Sequence, residues 1–129
     1  MAKRQSFALV SEDTELGRWA LTRALEAEGF EVQAVPTWVE ASAWLTRARF
    51  SLALVAVSSM SGNAADIVAF VRQHHPNTHL VLLADQDSIG ELRRACGPQT
   101  EILAKPLDLE EVSQIAHSLP WAGDDTLGA

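Results

Sequence analysis

A single cysteine, Cys96, is all the thiol chemistry this chain has. One sulfur makes neither an intrachain disulfide framework nor a thiolate metal cluster. A small buried or half-buried side chain near the end of a helix is the expected role. Long apolar runs are missing too: none approaches the ~18 residues that suggest a membrane span. Positive charge is scarce, with 10 Lys and Arg against 17 Asp and Glu, for a net charge of -7. The adjacent basic pairs, Lys3-Arg4 and Arg93-Arg94, read as solvated surface. Phosphate-backbone binding needs a basic face, so direct nucleic-acid binding is not expected. The opening residues lack the apolar core and small-residue cleavage site of a secretory leader, so the expected location is cytoplasmic.

What is present is an alternating pattern. The 129 residues fit one domain with one core, and 47% hydrophobic content is ordinary for a globular chain. Five short apolar runs stand out as strands: Phe7 to Val10, Val32 to Val35, Leu52 to Val57, Leu80 to Ala84, and Ile102 to Ala104. The first, third and fourth are continuously apolar, as suits strands covered on both faces. Between them lie segments of helical period. Thr37 with Glu40 reads as a capping box, Ser88 with Glu91 repeats it, and Asp108 with Glu111 is an acidic variant. Asn63 or Gly62 is placed at the start of the third helix, with Asp66 favourable in its first turn. Apolar stripes run through Leu16, Ala20, Ala24 and Leu25; through Ile67, Phe70, Val71 and His74; and through Leu109, Val112, Ala116 and Leu119. Pro76 and Pro120 close the third and fifth helices.

Strand and helix repeated five times predict an α/β, flavodoxin-like, doubly wound parallel sheet in the order 2-1-3-4-5, with helices on both faces. The domain is expected over residues 1–120. Residues 121–129, small, polar and acidic after Trp121, read as a flexible tail or the start of an interdomain linker.

Function in such a sheet gathers at the carboxyl ends of the strands. Glu12-Asp13, Ala56 to Ser59, Ala84-Asp85 and Lys105-Pro106 stand there. No glycine-rich phosphate loop follows the first strand; "SEDTELG" is acidic where an anion would sit, which argues against a nucleotide or flavin phosphate.

With the acid pair Glu12-Asp13, the stretch "LEAEGFEV" and the stretch "LAKPLDLEEV" in this order, the chain resembles the receiver domain of bacterial two-component response regulators, from about Phe7 to Leu119. The resemblance implies an aspartate acceptor ending the third strand, two acids after the first strand that help hold Mg²⁺, and a lysine after the fifth that pairs with the acceptor. It further implies a hydroxyl ending the fourth strand, an aromatic switch in the fifth, and a cis bond before the proline. This sequence departs from that pattern. The acceptor position falls on Ala56, the hydroxyl position on Ala84 and the aromatic position on Ile102, and the chain has no tyrosine. Glu12, Asp13 and Lys105 remain.

The expectation is therefore a degenerate form, a pseudo-receiver with no phosphoacceptor, no catalytic group and no metal of its own. A Mg²⁺ ion held by Glu12 and Asp13 alone would bind weakly for want of a third carboxylate. Lys105 then needs a new partner, and Glu12 or Asp13 should supply it. Such a module acts through protein contacts, with another signalling protein or the remainder of a longer regulator chain. The resemblance points to the fourth helix, fifth strand and fifth helix as its partner face, including a homodimer. The alternative is regulation at another position, by ligand binding or by phosphorylation of Ser58 or Ser59, which otherwise satisfy loop backbone groups. His74-His75 at a helix end suits the helix dipole better than a metal site. Trp19, Trp38 and Trp44 are placed on helices, where any exposed one would mark a partner surface.

Overall fold

The computed structural model describes residues 6–57 and 64–119. Five strands, β1 (Ser6–Ser11), β2 (Phe30–Val35), β3 (Leu52–Ala56), β4 (His79–Asp85) and β5 (Glu101–Lys105), alternate with five helices, α1 (Glu15–Ala27), α2 (Trp38–Leu45), α3 (Ala64–His74), α4 (Gln86–Cys96) and α5 (Leu109–Ser118). All strand pairs are parallel, and the sheet order is β2-β1-β3-β4-β5, as the sequence pattern predicts.

Strand pleating divides the core into two layers. Ala8, Val10, Leu52, Leu54, Val81, Leu83 and Leu103 face α1 and α5 and pack with Leu21, Leu25, Val112 and Ala116. The alternate residues Leu9, Ala53, Val55, Leu82, Ala84 and Ile102 face the other way, against Ala41 and Leu45 of α2, Ile67, Val68 and Val71 of α3, and Leu92 and Cys96 of α4. Continuous apolar runs in β1, β3 and β4 follow directly, since both faces of these inner strands are covered. β2 is an edge strand with only Phe30 and Val35 buried, which explains its weaker apolar signal.

Capping residues set several helix starts. The Thr14 hydroxyl accepts from the Gly17 N–H at 3.1 Å and begins α1. Thr37 accepts from the Glu40 N–H at 3.2 Å and begins α2, while its hydroxyl meets the Glu40 carboxylate at 3.4 Å. Asp108 caps α5 by accepting from the Glu110 N–H at 2.9 Å. Gly29, at φ 95, supplies the left-handed turn from α1 into β2 that a β-carbon would strain.

Four expectations about the helices change, the first being that Leu109, placed on the inward stripe of α5, is 40% exposed where that helix starts. Ser88 does not start a helix: β4 runs straight into α4, Asp85 is the N-cap, and Ser88 lies buried in the first turn. Leu16 is 74% exposed, because the buried stripe of α1 runs through Leu21 and Leu25, four apart, and Leu16 falls about 140° away from Leu21 around the helix. His74 is also exposed, and the inward face of α3 carries Ala64, Ile67, Val68 and Val71. The predicted α3 start at Gly62 or Asn63, the stop at Pro120, Ser58, Ser59 and Trp121 lie outside the described residues.

Candidate functional site

The carboxyl edge of the sheet carries a buried acid. Glu12 follows β1 and extends its ladder by one residue, its N–H donating to the Val35 carbonyl at 3.0 Å. Pleat alternation then points its side chain to the α1/α5 face, the same face as Ala8 and Val10. The carboxylate is 4% exposed and fully engaged. Its Oε2 accepts from the Thr14 hydroxyl at 2.7 Å and the Thr14 N–H at 3.1 Å. Its Oε1 accepts from the Lys105 ammonium at 2.9 Å. Burial works to raise the Glu12 pKa, but the bonds from Lys105 and Thr14 together hold it below its ordinary value.

Two further features tie this acid to α1. Arg18 reaches back to the Glu12 carbonyl at 2.8 Å. Gly17 passes so close that a β-carbon there would stand 2.6 Å from Thr14 Oγ1 and 2.8 Å from Glu12 Oε2. Neither residue stands out in the sequence, since a glycine three residues after a capping threonine is a weak signal by itself.

Lys105 is the last residue of β5 rather than the first beyond it, and the peptide bond to Pro106 is cis, as expected. Leu103 faces α1 and α5, so Lys105 starts on that face too. β3 and β4 lie between β5 and β1. At ~4.8 Å per strand the two ends are ~14 Å apart. The lysine side chain, 29% exposed, and the Glu12 side chain therefore reach toward each other across the ends of β4 and β3 and meet at 2.9 Å. Ala56 ends β3 on this same face, packed against the α1/α5 core.

The other predicted positions are placed differently. Ala84 and Ile102 are buried in the opposite core layer, facing α2, α3 and α4. Asp13 is exposed and has no hydrogen bond or ion pair among the described residues. Asp85, whose carboxylate makes no cap bond, is the register partner of Lys105 across the sheet. No group of three or more His, Cys, Asp or Glu among the described residues could hold a metal ion. Both Glu12 oxygens accept hydrogen bonds, from Thr14 and from Lys105, and the methyl of Ala56 carries no lone pair.

This sheet order, with helices on both faces, defines a flavodoxin-like fold, and solved structures share it. A response regulator from Thermotoga maritima superposes with a TM-score of 0.72 at 22% identity, over 88% of this chain and 98% of that one. The chemotaxis protein CheY4 of Vibrio cholerae gives a TM-score of 0.73 at 22% identity, over 90% of this chain and 99% of that one. In sequence, 108 residues, 83% of the chain, are 26% identical to the DNA-binding transcriptional regulator NtrC of Bradyrhizobium sp. (strain RP501 Parasponia). The chain spans only 22% of the length of that relative. No protein-family model matches. The chain thus has the fold of a response-regulator receiver domain. No helix among the described residues is long and apolar enough to cross a membrane.

Proposed function

We propose that this chain is a pseudo-receiver: a cytoplasmic signalling module that works by protein contacts and takes no phosphoryl group. The observation that carries this reading is the closed ion pair between Lys105 and Glu12 over the end of β3, where Ala56 stands. In a phosphorylating receiver that lysine would serve an acceptor carboxylate. Here it neutralises an acid that would otherwise be a candidate metal ligand. Ala56 has no lone pair for attack on phosphorus, and positioning dominates phosphoryl transfer, so acids elsewhere on the edge do not substitute. Ala84 and Ile102 bring neither a hydroxyl nor an aromatic ring, so a phosphoryl group would also find no switch to move.

The partner is another signalling protein or the rest of a longer chain, with α4, β5 and α5 as the contact face, open to a homodimer. Intact-protein mass spectrometry after acetyl phosphate and Mg²⁺ tests the proposal. The wild-type protein should show no hydroxylamine-labile gain of one phosphoryl mass, whereas Ala56→Asp, which returns a carboxylate to β3, should show some. A labile gain on the wild type refutes the reading. A gain stable to hydroxylamine after serine-kinase treatment, mapped to Ser58 or Ser59, would favour regulation at that loop instead.

A further inference from the structure

The opposite edge of the sheet holds a cavity of about 450 Å³. It opens between the α2–β3 and α3–β4 connections, at the amino ends of β3 and β4, and so lies at the far end of the strands from Lys105. Arg47, Arg49, His74, His75, Asn77 and Thr78 line it, and no described Asp or Glu does. In a chain of net charge -7, four basic side chains around one acid-free cavity run against the composition.

Helix dipoles account for part of this. Basic groups in a last turn offset the partial negative charge of a helix end, and His74 ends α3. They do not account for the arginines. Both lie beyond Leu45, the last residue of α2, whose own last turn has no basic residue. Arg47 rests its guanidinium 5.7 Å from the Trp44 ring centroid, which leaves its N–H edge free. Arg49 has no ion pair or hydrogen bond among the described residues, nor has the Asn77 amide. Beyond His75, a smaller cavity continues along Arg72 and His79. The acid there, Glu101, already bonds His79 at 2.7 Å. The two helix ends oppose an anion with about half a charge each, and two whole guanidinium charges outweigh them.

We infer that this rim binds a small multivalent oxyanion, a compound carrying two or more phosphate or carboxylate groups on a compact scaffold. The volume falls in the ~300–1,000 Å³ range of small-molecule sites. Guanidinium forks match the oxygens of either group. The site is independent of the ion pair at the carboxyl edge.

The test is an NMR titration of the protein with inorganic pyrophosphate and, separately, with citrate, each against sodium chloride at matched ionic strength. At least one probe should give saturable amide shifts confined to residues 45–50 and 74–78, with a Kd below about 1 mM. Saturation by pyrophosphate alone assigns phosphate esters, and by citrate alone carboxylates. Arg49→Gln and Arg47→Gln should each weaken binding about tenfold. Arg23→Gln, an exposed change on α1, should not. Both cavity arginines are exposed, so these variants should fold. Shifts no larger than the salt control with both probes, or unweakened binding in the cavity variants, would overturn the inference.

Discussion

Replacing Lys105 with methionine keeps most of the stem and removes the ammonium, leaving Glu12 as a carboxylate with 4% exposure and only Thr14 as partner. Stripping one member from a fully buried pair costs about 3–5 kcal/mol. Two facts lower that figure here. Lys105 is 29% exposed, so water can enter where the ammonium was. Glu12 can also escape by taking up a proton. From its ordinary value of 4.5, that costs at pH 7 about 3.4 kcal/mol, which is a ceiling on the charge penalty. The expected loss at pH 7 is therefore about 1–3 kcal/mol. Its pH dependence follows from the lowered Glu12 pKa. A depressed carboxyl contributes stability that is present above its unfolded value of 4.5 and lost as pH falls through the lower folded value. In Lys105→Met that contribution shrinks, so wild type and variant should converge on acidification. Urea unfolding at pH 7 and at pH 3.5 measures both. In a Glu12→Gln background the same lysine change should cost less than about 0.5 kcal/mol, since no charge is left stranded. A loss at pH 7 that persists undiminished in that background would refute the pairing argument.

Gly17→Ala should destabilise by about 1–2 kcal/mol in urea, although alanine favours helix by about 1 kcal/mol, because its β-carbon displaces the Thr14 cap and the Glu12 carboxylate; a stabilised variant would show that this contact yields freely. Burial raises the Cys96 thiol pKa against the pull of the Arg72 guanidinium, so alkylation by iodoacetamide at pH 7.5 should run at least about tenfold slower than in the urea-unfolded chain, and equal rates would contradict its buried place at the end of α4. Leu21→Ala should cost about 2–4 kcal/mol while Leu16→Ala stays within about 0.5 kcal/mol, a contrast that thermal melts of the two variants resolve.

The sequence by itself carried the architecture. Apolar runs at Phe7 to Val10, Leu52 to Val57 and Leu80 to Ala84 can be buried on two faces only between helix layers, and the structure extends each by at most a residue or two or trims it by one. Thr37 and Asp108 marked helix starts because a side-chain oxygen three or fewer residues from an unpaired N–H acts locally, without help from the fold. Ser88 carried the same local signal and was overruled, because β4 delivers the chain to α4 without a loop and buries that hydroxyl. Leu16 departs from its expected stripe for a related reason: stripes of similar period can be drawn through one helix, and only the sheet beneath selects between them.

What tertiary structure alone decided is the pairing across distance. Glu12 and Asp13 are adjacent and chemically near-equal in sequence, yet pleat alternation turns Glu12 inward and leaves Asp13 in solvent, so the ammonium 93 residues away meets only the first. The same alternation separates Ala56 from Ala84 and Ile102, which sit on opposite sides of one sheet. Arg47, Arg49 and the His74-His75 pair are unremarkable apart, some 25 residues from one another along the chain. They converge because right-handed crossovers return both helix ends to one edge of a parallel sheet, and charge gathered by topology leaves no local trace in sequence.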